Sequence, residues 1–462
     1  MLYMTSFIGE DLRFDQLSYN HVDQVRLCPG FKIQGYHGWT FVNDDSLRWV
    51  GMDNFISNIF TQALSLFNGN NYTRLALIWI NYVAYKCKVI ACNGLIKANN
   101  TNQKLKIVKN KNFEKFCKNF LKQPLNRNNI EIWLAYAKLE MIIGNIDMTK
   151  KILKQVLDMS KMINSRVFLT AVIKAYIELE LNLYDETQKS VVTENNKNRV
   201  LEIISILADK GKDLPITTSP TVVLSTDIIR CKTYMHNIKN DLISSITSPN
   251  VDFNSEEKYK HLIDITFCNA IYDYLINNLQ SACNIIESSI SSVKSSVIQS
   301  NLLEFLMEKL TTDQLLLYKI HTDTCCGSYN TKRQFNIQIL NQYPYNLDIL
   351  SNFANGEMQM HVMGRMRRYF DHVISQSFSS LPWLIAIQQE ESRLYMINGQ
   401  PNETGDKNID GMSYVDTGIS HRIRSIYERA TNSPWTRYCI AIWRDYMRFE
   451  VSQIKLQLII KN

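Results

Sequence analysis

Residues 131–140 read EIWLAYAKLE, and residues 441–450 read AIWRDYMRFE. Trp133, Tyr136 and Glu140 in the first, and Trp443, Tyr446 and Glu450 in the second, stand at i, i+3 and i+7. At 3.6 residues per turn that spacing sets all three side chains on one stripe of a helix. Weaker copies follow the same spacing: Trp383, Ala386 and Glu390; Leu350, Phe353 and Glu357; Ile173, Tyr176 and Glu180. Trp79 and Tyr82 keep the first two positions, with Lys86 at the third. A second amphipathic helix accompanies several of these. After Glu140 comes Gly144-Asn145, a left-handed helix stop, and then an apolar periodicity over 146–159. GRMRRYFDHVIS follows Glu357, and HRIRSIYERA precedes Trp443. One such hairpin cannot bury its apolar face alone, whereas stacked hairpins share a continuous core. The expected fold is all-α, a superhelical solenoid of antiparallel helix hairpins.

The composition agrees. The chain has 462 residues, 45% of them hydrophobic and 21% charged, enough to build a core. Gly 16 and Pro 9 are too few for a many-turned β protein. The most apolar long stretch, 75–92, carries Asn81, Lys86 and Lys88, so a membrane span is not expected. The first residues meet Glu10 and Asp11 with no basic start, which is unlike a secretory signal. Ten cysteines are irregularly spaced and contain no Cys-x-x-Cys, so reduced thiols of a cytosolic or nuclear protein are expected and a zinc site is not.

Net charge is +7, and it is unevenly placed. Lys104, Lys106, Lys109, Lys111, Lys115, Lys118 and Lys122 stand against one acid, Glu114, between Thr101 and Pro124, which leaves the rest of the chain near neutral. These lysines are the candidate electrostatic contact, to RNA phosphate or to an acidic protein segment. The alternative is a solvated helix face, anchored by Phe113, Phe116 and Phe120. Any RNA contact is expected to be weak and salt-sensitive, because no aromatic stacking series accompanies the lysines. Arg365, Arg367 and Arg368 form a smaller cluster of the same kind.

The aromatic stripe itself reads as core packing, since it recurs in every copy. Trp133, Tyr136, Trp383, Trp443 and Tyr446 are expected to be mostly buried. Glu140, Glu390 and Glu450 read as acceptors that fix helix packing, because a carboxylate on a packed stripe needs donors. There is no His-Glu-x-x-His, Walker A loop, Gly-x-Ser-x-Gly or dinucleotide fingerprint, so no catalytic, metal or cofactor-binding residue is named and no enzyme is expected. Two sub-arrays are expected, over 1–212 and 228–462, joined by a linker at 213–227. An exposed loop is expected at 400–417 (QPNETGDKNIDGMSYVDT).

The aromatic pair with a following acid resembles the half-a-TPR (HAT) repeat. NNIEIWLAYAKLEMIIGNIDMTKKILKQVLDMS (128–160), RRYFDHVISQSFSSLPWLIAIQQEESRL (367–394) and TGISHRIRSIYERA (417–430) leading into IWRDYMRFE resemble hairpins of the nuclear-RNAi-defective-two (NRDE-2) family. The order Arg-Arg-Tyr-Phe-Asp, Pro-Trp-Leu-x-Ala-Ile, His-Arg-Ile, Trp-Arg-x-Tyr is what separates this resemblance from a generic HAT match. It implies a nuclear, non-enzymatic scaffold in RNA metabolism: small-RNA-directed gene silencing, exosome-linked decay or splicing. The rival expectation is another HAT scaffold of splicing, polyadenylation or ribosome biogenesis. Implied partners are proteins of nuclear RNA decay, splicing or silencing complexes, among them an exosome-associated RNA helicase. No small-molecule ligand is implied. No stretch here resembles the family's helicase-gripping segment, so the chain is expected to be a fragment lacking that N-terminal region.

Overall fold

The computed structural model describes residues 46–98, 120–163, 165–183, 192–209, 225–247, 255–294, 301–324, 329–344, 346–359, 363–376, 379–397 and 414–461. Among these residues every regular element is a helix and no strand occurs. In chain order they are α1 (Ser46–Leu66), α2 (Gly69–Ala98), the single turn α3 (Pro124–Arg127), α4 (Ile130–Ile143), α5 (Ile146–Ile163) and α6 (Arg166–Glu180). There follow α7 (Glu194–Ala208), α8 (Ser225–Thr247), α9 (Ser255–Ile276), α10 (Leu279–Lys294) and α11 (Asn301–Thr324). The last are α12 (Tyr329–Leu340), α13 (Leu347–Gln359), α14 (Met363–Gln376), α15 (Leu381–Ile397), α16 (Tyr414–Asn432) and α17 (Ile440–Lys461).

The chain forms two compact units. The central unit takes in Leu66–Cys87 and Val108–Asn336; the C-terminal unit takes in Met1–Ser65, Lys88–Ile107 and Ile337–Asn462. Helices α7 and α8 pack together inside the central unit, where the Cys231 thiol donates to Ile204 O at 3.5 Å. Residues 213–224 of the expected linker lie outside the described residues, as do 400–413 of the expected loop. Its last four residues, 414–417, are helical and open α16.

Local chemistry sets the helix ends. Asn129 accepts from Glu131 N and Ile132 N at the start of α4. At its end Gly144 adopts φ 86°, with its own N–H bonded to Met141 O and Asn145 N–H reaching back to Glu140 O. A β-carbon at that φ would be strained, so glycine stops the helix where the sequence places it. Asn346 and Thr193 cap α13 and α7 in the same way.

In the central unit α4 packs along α5, and α5 along α6, with α6 also against α4. The stacking then skips. α6 lies directly against α9, with α7 and α8 forming a second layer beside them, and α9 also meets α11. A row α4–α6–α9–α11 therefore carries the unit's core. It is filled by Ile132, Leu139, Ile173, Ile177, Phe267, Ile271 and Leu310, each about fully buried. In the C-terminal unit α13, α14 and α15 pack mutually, α15 packs along α16, and α16 along α17. Phe353, Phe370, Trp383, Ile387, Ile423 and Tyr427 form that unit's core. No helix among the described residues is long and apolar enough to cross a membrane.

Candidate functional site

The repeated stripe is where the structure concentrates its polar chemistry. Tyr136 is buried, and its hydroxyl donates to Glu140 Oε1 at 2.5 Å; Asn145 Nδ2 donates to Glu140 Oε2 at 2.7 Å. Glu140 is 2% exposed, and both of its oxygens are satisfied within the hairpin that Gly144 closes. Glu180 meets Lys150 on α5 at 3.2 Å and Arg199 on α7 at 3.6 Å. Glu390 takes both Nε and Nη2 of Arg367 on α14, and Nε of Arg422 on α16 at 2.9 Å. Glu450 takes Arg424 on α16 through Nε at 2.6 Å and Nη2 at 2.9 Å. At Glu180, Glu390 and Glu450, then, the acid ties its own helix to a cation on a helix packed beside it. A Glu140→Gln protein should lose about 1–2 kcal/mol in urea unfolding, because an amide has one acceptor oxygen for two buried donors. Unchanged stability would show that one of those contacts contributes nothing.

The aromatic positions of the stripe divide. Tyr136 and Trp383 are buried, but Trp133 and Tyr446 are only half-buried and Trp443 is 43% exposed. The expectation that all five are mostly buried fails at Trp443, the most exposed of them. Trp133 Nε1 donates to Arg127 O at 3.0 Å, and Trp443 Nε1 to Arg437 O at 2.6 Å. Each indole thus lies over the turn entering its helix, where its N–H finds a carbonyl, and not in the apolar interior. Tyr446 stacks on Tyr427 with ring centroids 4.9 Å apart.

This turn is a part of the repeat that the stripe alone does not reveal. Asn126 Nδ2 donates to Phe120 O at 2.9 Å, and Thr436 Oγ1 donates to Ala430 O at 2.5 Å. Both side chains are fully buried, and both stand seven residues before the tryptophan. Pro124-x-Asn126-Arg127 and Pro434-x-Thr436-Arg437 are the sequence signal: a proline, a small polar donor and an arginine at matching distances from Trp133 and Trp443.

Two charge networks cross between helices. In the C-terminal unit, Arg422 bonds both Glu390 and Asp371, and Arg429 bonds Asp371 at 3.1 Å while lying over the Trp383 ring at 5.9 Å. Arg367 is thus partly buried against Glu390, whereas Arg365 and Arg368 remain exposed. The Tyr427 hydroxyl donates to buried Glu391 in the same layer. In the central unit, Lys174 on α6 meets Asp264 on α9 at 3.0 Å and Asp313 on α11 at 3.9 Å, with its ammonium over Phe267. Burial would lower the Lys174 pKa, but Asp313, Asp264 and Glu178 hold it well above its ordinary range. Burial pushes the Asp313 carboxyl from 3.8 up to about 6; Lys174 pulls against this, and Asp264 and Glu178 add repulsion.

That shift gives a pH test. A folded value above the unfolded one means that the folded state favours the proton. The contribution is full below about pH 4 and is lost as pH rises through about 6. The stability advantage of the wild type over Asp313→Asn should therefore shrink between pH 4 and pH 7 in urea titrations. A gap that stays constant across this window would mean that Asp313 titrates as an ordinary surface aspartate.

Of the lysine window only Lys122 falls among the described residues, and it is exposed. Lys104, Lys106, Lys109, Lys111, Lys115 and Lys118 lie outside them, as do Phe113 and Phe116. Phe120 is buried, edge-on to Trp79 at 5.3 Å. Among the described residues no group of three or more His, Cys, Asp or Glu side chains is arranged to hold a metal ion. Cys231, Cys268, Cys283 and Cys439 are unbridged, and burial raises the thiol pKa of Cys268 and Cys283.

No family model matches the chain, and no solved structure matches it. Among curated proteins it is similar to the nuclear exosome regulator NRDE2 of Homo sapiens, 27% identical over 429 residues. It is also similar to the nuclear exosome regulator NRDE2 of Mus musculus, 26% identical over 423 residues. Each match covers 88% of this chain and 34% of the relative, so the chain spans about a third of the length of the curated relatives it matches. The match extends far beyond the stripe motifs, takes in most of the helical array just described, and agrees with the resemblance to the NRDE-2 family carried by those motifs.

Proposed function

We propose that this chain is a non-enzymatic helical-repeat scaffold that acts in the nucleus as part of a regulator of exosome-linked RNA decay. The observation that carries this reading is the similarity to two nuclear exosome regulators over 88% of the chain. The polar side chains on the repeat stripe support a binding role: they are spent on one another and on helix contacts, as in Glu140, Glu390 and Glu450, and do not converge in a cleft. A stacked array offers a long surface to partner proteins, and its working parts are surface side chains held by a stiff interior. Small-RNA-directed silencing and splicing support rest on the resemblance alone and stand behind decay regulation. The 101–124 lysines, in this reading, add a weak contact to RNA phosphate. Its log affinity should fall by about 0.7 per phosphate for each log unit of salt, and it should vanish when four of the lysines become Gln.

The test is affinity purification of the tagged chain from nuclei, with partner identification. Recovery of RNA-decay components is the expected result. Recovery of splicing, polyadenylation or ribosome-biogenesis factors without decay components would replace this reading with that of another HAT scaffold.

A further inference from the structure

Among the described residues of the central unit, a buried lysine faces no carboxylate. Lys239 on α8 is 5% exposed, and its ammonium donates to Ser288 Oγ on α10 at 3.4 Å. No acid among the described residues lies within ion-pairing distance of it, and burial alone acts on its pKa, downward. Other lysines that turn inward are paired: Lys174 faces Asp264 and Asp313, and Lys232 meets Asp273 at 2.5 Å. Glu287, next to Ser288, is taken by Gln314 Nε2 on α11 at 2.8 Å. A withdrawn ammonium with one long bond to a neutral hydroxyl is costly to keep.

The hydroxyl it meets is open to solvent. α8 and α10 both pack along α9 and touch each other, and Lys239 crosses between them to a serine on the exposed side of α10. Ser288 Oγ donates to Ile285 O at 2.8 Å, so its lone pairs face the ammonium. Ser289 Oγ bonds the same carbonyl at 2.9 Å, so Ile285 O keeps a side-chain donor when the Ser288 proton is lost. Ser291 is exposed too, but its hydroxyl bonds back to Ser288 O on its own helix.

We propose that Ser288 is a phosphorylation site, and that phosphoserine there ties α10 to α8 through Lys239. The donor is ATP in the hands of a protein kinase. The bond from Ser288 Oγ to the γ-phosphorus forms, the bond from that phosphorus to ADP breaks, and the hydroxyl proton passes to the kinase's base. The phosphate brings about −1.5 to −2 charge and three acceptor oxygens to the ammonium. A charge-assisted hydrogen bond of about 2.7–2.9 Å then replaces the long neutral one. Ser288 precedes the last turn of α10, which ends at Lys294, so the helix dipole opposes the anion little.

Two measurements test this. The tagged full chain, recovered under phosphatase inhibitors from cells that express it, should carry phosphate on Ser288 in peptide mass spectrometry. Phosphate absent from Ser288, whether or not Ser291 is modified, overturns the site. The pairing is read on the full chain with phosphoserine genetically encoded at position 288, in wild-type and Lys239→Met backgrounds. Phosphorus NMR should place the second phosphate pKa below its ordinary value of about 6 in the wild type and near that value in Lys239→Met. In urea the phosphate should raise the folding equilibrium constant of the wild type about tenfold, and not raise that of Lys239→Met. Methionine keeps the apolar stem without the charge, so this variant is expected to fold, and Lys239→Gln serves as the second. Phosphoserine at position 291 should give no gain. An equal gain in both backgrounds, or the same gain at position 291, overturns the pairing.

Discussion

Replacing Glu390 by alanine should destabilise the C-terminal unit by about 3–5 kcal/mol, one of the two largest effects expected of a single substitution in this chain. Glu390 is 3% exposed and receives Arg367 from α14 and Arg422 from α16, while Arg393 lies 4.0 Å away on its own helix. Its removal leaves cations partly withdrawn from water with no carboxylate at their centre. Asp371 cannot take its place, since it is half-exposed and already shared between Arg422 and Arg429. Salt should not rescue the loss, because a pair shielded from solvent is little screened. Urea unfolding at low and moderate salt, with hydrogen exchange across α14–α16, measures it. A loss under about 1 kcal/mol would mean that the network is a solvated surface cluster of the ordinary weak kind.

The second large effect separates tryptophans that share one repeat position. Trp383→Ala should cost about 3–5 kcal/mol, as for a large buried side chain whose neighbours only partly close the gap. Trp443→Ala should cost only about 0.5–1.5 kcal/mol, chiefly the bond from Nε1 to Arg437 O and a half-covered ring. Trp383 is 4% exposed, between the packed helices and Arg429, whereas Trp443 lies over a turn. Thermal or urea unfolding of the two variants side by side decides it. Equal losses would mean that the stripe position itself, and not its surroundings, sets the energetics.

These two expectations also mark how far the sequence reaches. The helices, their hairpin pairing and their ends were legible, because capping and amphipathic spacing act over three to seven residues. Gly144 specifies its turn from within the turn itself. The acid at the end of each stripe was legible as something that needs a donor, because burying a carboxylate is costly in any fold. The donor itself was not legible. Arg367 and Arg422 reach Glu390 from two other helices, and Lys174 collects Asp264 and Asp313 across the contacts of α6 with α9 and α11, an order that skips α7 and α8. Periodicity fixes which residues share a face, and so the sequence by itself determined an all-α array of hairpins with a repeated aromatic and acidic stripe. What lies against each face depends on neighbours brought from far along the chain. For that reason only the tertiary structure decided that Trp383 is core and that Trp133 and Trp443 lie over the turns that enter their helices.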